Sequence, residues 1–372
     1  LEKNILISLC MIVKDEENFI DSCLKSAKDL ADEIIIVDTG STDKTRKICE
    51  KYKAKIFYLP WKDNFAEARN YGISKANGKW ILWLDADEEI IIKNKNKFYQ
   101  TLMDEKGYIY LVPIINYYGD FPIDINRSYL FSSYRLFRNH RDIKFTGKIH
   151  EHLTMNYSGE IYSEKALPYI EINHYGYLDS IIRKKEKITR NLKILENEKT
   201  EPNYSPWIDY HIASEYYSLK KYTKALYEIN LSIIGFLKNY KLPPSLLYKL
   251  KYDILINTEN YNEAKFGIEK AIKLYPDYVD LYFYKGIILF KENSFKEAIL
   301  VFNQCIKLGE GNSKYLILSG AGSYLSWYFI GCCYKEINDY KKADDAFKNV
   351  LAIYPNCIKA QRELSRITKK SN

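Results

Sequence analysis

The sequence predicts an α/β domain with a mostly parallel sheet, followed by an all-α domain of superhelical repeats. Two observations carry this. Short apolar runs of strand length alternate with helical patterns through roughly the first ninety residues, and one aromatic-to-alanine spacing recurs four times in the second half. At 372 residues the chain is long enough to bury two cores. With 47% hydrophobic and 28% charged residues, it has the composition of an ordinary folded protein. A net charge of +8 favours an anionic ligand without implying nucleic acid, and no nucleic-acid partner is expected.

Residues 5–13 form a nearly continuous apolar run, read as a first buried strand rather than a signal segment. A helical pattern follows the polar stretch Asp15-Glu16-Glu17-Asn18 and extends to about Ala31. Residues 33–37 (EIIIV) are a second strand, closed by Asp38-Thr39-Gly40-Ser41. A helix is expected over 42–52, a third strand over 55–59, a third helix over 65–76 and a fourth strand over 80–84. This rhythm places the ligand crevice beyond the carboxyl ends of the strands, where Lys14–Glu17, Asp38–Asp43 and Asp85–Glu89 gather. From about Gly107 the pattern is strand and loop, and residues 178–198 read as one charged amphipathic helix.

No apolar run reaches 18 residues, so no transmembrane segment is expected. None of the seven cysteines forms a CxxC pair, which argues against a zinc centre and fits a reducing, cytoplasmic setting.

Beyond residue 204, Ala225, Ala264, Ala298 and Ala343 each follow Tyr222, Tyr261, Phe295 or Tyr340 by three residues. Each precedes an apolar residue four positions on: Ile229, Ile268, Phe302 and Phe347. Gly286 and Gly331 occupy equivalent places in two of the copies. The pattern resembles the tetratricopeptide repeat, with insertions at 235–242 and 309–322.

The segment KWILWLDADEE runs a hydrophobic strand directly into Asp85, Asp87, Glu88 and Glu89. In an extended Asp-x-Asp both carboxylates face one side, and such a pair suits a hard divalent cation. An acidic cap on a solvated turn is the simpler reading of an isolated Asp-x-Asp.

Three blocks add specificity: ISLCMIVKDEENFIDSCLKS, DEIIIVDTGSTDKT and WKDNFAEARNYGISKANGKWILWLDADEE. In this order they resemble the nucleotide-binding half of family 2 glycosyltransferases, which have the Rossmann-like GT-A fold and act with inversion. The resemblance implies that Val13, Glu16, Asp38, Ser41, Arg69 and Asp85 line the donor site, with N-capping of the next helix as the local alternative for Ser41 and Asp43. It implies Mn²⁺ or Mg²⁺ held by Asp87, Asp85 and His174, with a UDP-sugar as donor. The catalytic base is sought in GKIHEHL, with Glu151 favoured and His150 and His152 as competitors.

The implied organisation is a GT-A domain over 1–177, a linking helix over 178–204 and repeats over 205–372. Such a fusion resembles bacterial peptide glycosyltransferases of the antimicrobial-peptide, S-glycosylating type. A peptide or protein acceptor bound by the repeats is therefore expected, with homodimerisation as a further use of the array. Enzymes of cell-surface polysaccharide or glycolipid assembly are the alternative within the class. A catalytically inactive scaffold is the alternative outside it, opposed by the intact Asp85, Asp87 and Glu151. A nucleotidyltransferase would carry a Gly- and Arg-rich phosphate loop where this chain has KDEEN.

Overall fold

The computed structural model describes residues 5–103, 109–139, 142–155, 165–178 and 187–371. It divides into two compact units. One comprises Leu1–Asp124 with Phe131–Ile194, and the other Ile125–Leu130 with Leu195–Asn372.

In the first unit β1 (Ile7–Val13), β2 (Glu33–Asp38), β3 (Lys55–Tyr58) and β4 (Trp80–Trp83) alternate with α1 (Ile20–Ala27), α2 (Thr45–Lys51) and α3 (Phe65–Ile73). The four strands pair in parallel, in the order β3-β2-β1-β4. Both faces of this sheet are covered, which is why β1 and β2 read as unbroken apolar runs. Leu9, Met11, Ile34 and Ile36 pack with α1 on one face, whereas Cys10, Ile35, Ile81 and Trp83 pack with Ala66 of α3 on the other.

The sheet then becomes mixed. After β4 come β5 (Glu88–Ile92), α4 (Lys95–Met103), β6 (Ile109–Gly119), β7 (Ser128–Arg138), the hairpin β8 (Ile143–Thr146) and β9 (His152–Met155), β10 (Lys165–Ala166) and β11 (Ile170–Leu178). Beyond β4 the strand order runs β7-β6-β11-β5, with β7 antiparallel to β4, β11 parallel to β6 and β5 antiparallel to β11.

The expected helix over 178–198 is altered at its start. Leu178 is fully buried and ends β11, paired with Gly119. Residues 179–186 of that expectation lie outside the described residues, and α5 spans Lys187–Lys199.

The second unit is helical: α6 (Pro206–Ser218), α7 (Tyr222–Lys238), α8 (Ser245–Asn257), α9 (Tyr261–Leu274), α10 (Val279–Lys291), α11 (Phe295–Leu308), α12 (Tyr324–Glu336), α13 (Tyr340–Ile353) and α14 (Ile358–Ser371). The four marker alanines are fully buried, one in each second helix of a pair. Gly286 and Gly331 explain the close approach within pairs. A methyl at either would stand 2.5 Å from Phe302 or 2.7 Å from Phe347. The expected insertion at 235–242 begins inside α7, which continues to Lys238. The longer insertion carries β12 (Ile317–Leu318), which pairs antiparallel with Tyr129 and Leu130. Among the described residues no helix is long and apolar enough to cross a membrane.

Candidate functional site

Four strands adjacent in the sheet, β4, β7, β6 and β11, deliver the polar side chains of the site, with β5 beyond them. Asp85 follows β4, Arg135 lies on β7, Asn116 on β6 and His174 on β11. The acidic segment passes from β4 to β5, so its carboxylates reach partners on the strands between.

Residues 85–88 make a tight turn. The Glu88 N–H donates to the Asp85 carbonyl at 3.1 Å, and the Asp85 N–H donates to Glu88 Oε2 at 2.9 Å. Glu88 is fully buried, and its other oxygen accepts from Arg135 Nη2 at 2.5 Å. Arg135 also reaches Asp85 Oδ2, from Nη1 at 3.4 Å and Nη2 at 3.3 Å. Arg69 of α3 approaches Asp85 Oδ1 from the other side, with Nη2 at 3.3 Å. Burial opposes charge on Asp85, but the Arg69 and Arg135 guanidiniums outweigh it and hold the carboxyl below its usual range. Burial pushes Glu88 up despite Arg135.

Arg69 also bridges to Glu151 through Nε. The loop carrying Glu151 is brought there by α3 itself. Asn70 exchanges two 2.8 Å hydrogen bonds with the backbone of Phe145, and the Phe65 N–H donates to the Lys148 carbonyl at 2.7 Å. The Arg69 guanidinium lies over Trp83 at 4.7 Å and Phe145 at 5.1 Å. Its Nη1 is buried with no hydrogen-bond partner among the described residues.

On the other side of the turn, His174 Nε2 is 3.5 Å from Asp87 Oδ1, and His174 Nδ1 is 2.8 Å from Asn116 Oδ1. Gly176 borders the same space, where a methyl would meet Asp87 Oδ2 and His174 Nε2, each at 2.6 Å. The expected three-ligand set is thus divided: Asp87 and His174 come together, and Asp85 faces two arginines. Among the described residues no three His, Cys, Asp or Glu side chains gather closely enough to hold a metal. A carboxylate and an imidazole oriented through its far nitrogen, beside a glycine that adds no side chain between them, still fit a divalent cation whose remaining ligands are water and phosphate oxygens.

Residues 8–158 match the family described as glycosyl transferase family 2, and residues 253–278 and 324–357 match the tetratricopeptide repeat. The chain carries a glycosyltransferase family 2 domain followed by tetratricopeptide repeats.

Among relatives, a TPR repeat-containing protein of Synechococcus elongatus is 37% identical over 177 residues, 46% of this chain and 42% of that protein. The SPbeta prophage-derived glycosyltransferase SunS of Bacillus subtilis is 29% identical over 293 residues, 76% of this chain and 66% of that protein. A glycosyltransferase of Rickettsia bellii is 36% identical over 104 residues, 28% of this chain and 32% of that protein. The chain therefore spans less than two thirds of the length of each.

At the rim of the family 2 domain, the Asp15–Glu17 loop and the Asp38–Asp43 loop interlock. Ser41 Oγ accepts from the Asp15 N–H at 3.1 Å, and Asp43 Oδ2 from the Glu17 N–H at 3.0 Å. The Glu16 N–H donates to Thr45 Oγ1 at 2.8 Å, and the Val13 carbonyl accepts from the Thr39 N–H at 3.0 Å. Ser41 ties the loops together, whereas Asp43 does so and also accepts from the Thr45 N–H at 2.9 Å through Oδ1, at the first residue of helix α2. Asp38 is fully buried at the end of β2, accepting from the Gly40 and Ser41 N–H groups and paired with Arg46. His150 and His152 are exposed, with His152 Nε2 3.2 Å from Thr146 Oγ1.

Sequence reasoning missed Arg135, Glu88, Asn116 and Gly176. The stretch Arg135-Leu136-Phe137-Arg138 and the acid pair Glu88-Glu89 were visible, but nothing local marked which member turns inward.

Proposed function

We propose that the chain is an inverting, metal-dependent glycosyltransferase that moves a sugar from a UDP-hexose to a peptide or protein acceptor. The observation that carries this is the Asp87–His174 pair, with the imidazole oriented by Asn116 and Gly176 alongside, just beyond the carboxyl end of β4. Support for glycosyl transfer comes from the family 2 match and from a relative named a glycosyltransferase that aligns with 76% of the chain. Support for a peptide acceptor comes from the repeats, whose stacked helix pairs present extended surfaces suited to peptides.

Asp87 and His174 would hold Mn²⁺ or Mg²⁺, which supplies charge neutralisation at the departing diphosphate. The unpartnered Nη1 of Arg69 offers a donor to the same diphosphate. Val13, Glu16, Asp38 and Ser41 form the rim on which the nucleoside rests. Glu151 takes the proton from the acceptor nucleophile as that atom bonds to the anomeric carbon and the bond to the diphosphate oxygen breaks. His150 and His152, both exposed, are the competing bases.

The test is incubation of the full chain with UDP-hexoses, Mn²⁺ and a peptide library, read by mass spectrometry for hexose addition. Sugar on peptide from wild type and none from Asp87→Ala is expected. Modification that persists in Asp87→Ala without metal would contradict the metal-dependent site.

A further inference from the structure

Arg135 takes no part in the transfer as derived above, yet it makes the closest contact in the acidic turn. It lies on β7 at the position following the Leu82–Leu136 rung of the β4–β7 ladder, beside the end of β4. Its Nη2 is shared between Glu88 Oε1 at 2.5 Å and Asp85 Oδ2 at 3.3 Å, and its side chain is 14% exposed. Glu88 Oε2 in turn closes the turn through the Asp85 N–H. Glu88 also stands opposite His174 in the β5–β11 register. The Tyr175 N–H, one residue on, donates to the Asp87 carbonyl at 3.0 Å.

A buried carboxylate without a partner is costly, and a planar guanidinium holds its donors in a fixed fork, whereas an ammonium is a compact charge on a flexible stem. We propose that Arg135 and Glu88 form a positioning pair that fixes the turn from Asp85 to Glu88 so that Asp87 faces His174. This rests on the reading of Asp87 and His174 as the cation's protein ligands. Neither Arg135 nor Glu88 touches donor or acceptor. Their role is to keep the Asp87 carboxylate in place before the cation arrives, and to leave Asp85 balanced between two guanidiniums.

The experiment follows free Mn²⁺ by its electron paramagnetic resonance signal as it is titrated into the full-length chain with uridine diphosphate. Wild type, Arg135→Lys, Glu88→Gln and the double variant are compared, and thermal unfolding without metal is recorded for each. Either single substitution should raise the Mn²⁺ concentration for half-saturation roughly 10–100-fold, as outer-shell losses do. The double variant should be no worse than the weaker single variant, because the two residues act as one unit. If Arg135→Lys does not fold, the near-isosteric Glu88→Gln carries the same readout.

Wild-type half-saturation in the foldable variants would overturn the pair, as would two effects that multiply independently. Wild-type protein taking up no Mn²⁺ would overturn the cation site itself, and the pair with it.

Discussion

His174 Nε2 lies 3.5 Å from Asp87 Oδ1, two side chains joined across the boundary between β11 and the turn into β5. With Asn116 Oδ1 accepting at Nδ1, the ring turns its other nitrogen toward the carboxylate. Held in this way through its far nitrogen, the ring presents Nε2 to a cation shared with the carboxylate. Substituting Asn116 by Ala should therefore weaken divalent-cation binding by roughly 10–100-fold while leaving the fold intact. Calorimetric titration of Mn²⁺ in the presence of uridine diphosphate checks this; unchanged affinity would remove Asn116 from the site.

Gly176→Ala is a sharper steric test. The added methyl would stand 2.6 Å from both Asp87 Oδ2 and His174 Nε2, so at least one of them must move. Donor and cation binding should fall by an order of magnitude or more, beyond what any drop in unfolding temperature without ligand accounts for, because the collision is with the two side chains that would hold the cation. The two measurements are made by thermal shift with and without Mn²⁺ and donor.

Glu151→Gln should preserve donor binding and slow peptide modification by roughly 10²–10⁴-fold, the usual contribution of a general base. The amide keeps the size of the group beside Arg69 but cannot take the proton. Single-turnover transfer at saturating donor reads this. Near-normal turnover would move the base to His150 or His152.

Much of this was legible in the sequence, and the reasons are local. Strands β1 to β4 announce themselves because each is a short apolar run bounded by turn residues, and Asp85 and Asp87 stand at the end of one of them. The four buried alanines were readable for the same reason, since a helix pair repeats its small-residue position. Strand β5 and the Arg135 contacts were not. Arg135 meets Glu88 from 47 residues away, and the burial of Glu88 but not Glu89 is set by that non-local partner. The charged, periodic residues downstream of Leu178 read as helix from that position on; its pairing with Gly119 overrides that pattern.

The pH dependence of stability follows from Asp38. Burial opposes its charge, but hydrogen bonds from the Ser41 N–H and hydroxyl, Arg46 and the Gly40 N–H outweigh this and hold the carboxyl below its usual range. A folded value below the unfolded one contributes stability above the unfolded value and loses it as pH falls through the folded value. Asp38→Asn should therefore lower the unfolding temperature near neutrality, and the gap to wild type should narrow below about pH 4. A gap that stays constant down to pH 2 would contradict this.

In the repeats, Gly286→Ala and Gly331→Ala press a methyl onto Phe302 and Phe347, at 2.5 and 2.7 Å. Each should destabilise by about 1–3 kcal/mol in urea unfolding, since the close helix approach leaves the ring nowhere to go. Donor binding is the control that should not move.

Asp87 and His174 would hold the nucleotide-sugar through a divalent cation. A thermal-shift screen of nucleotide-sugars with and without Mn²⁺, run on wild type and Asp87→Ala, tests it most directly. At least one UDP-hexose should raise the wild-type unfolding temperature only when Mn²⁺ is present, and Asp87→Ala should show no such rise. Equal stabilisation of both proteins, or none by any donor in either metal condition, would contradict it.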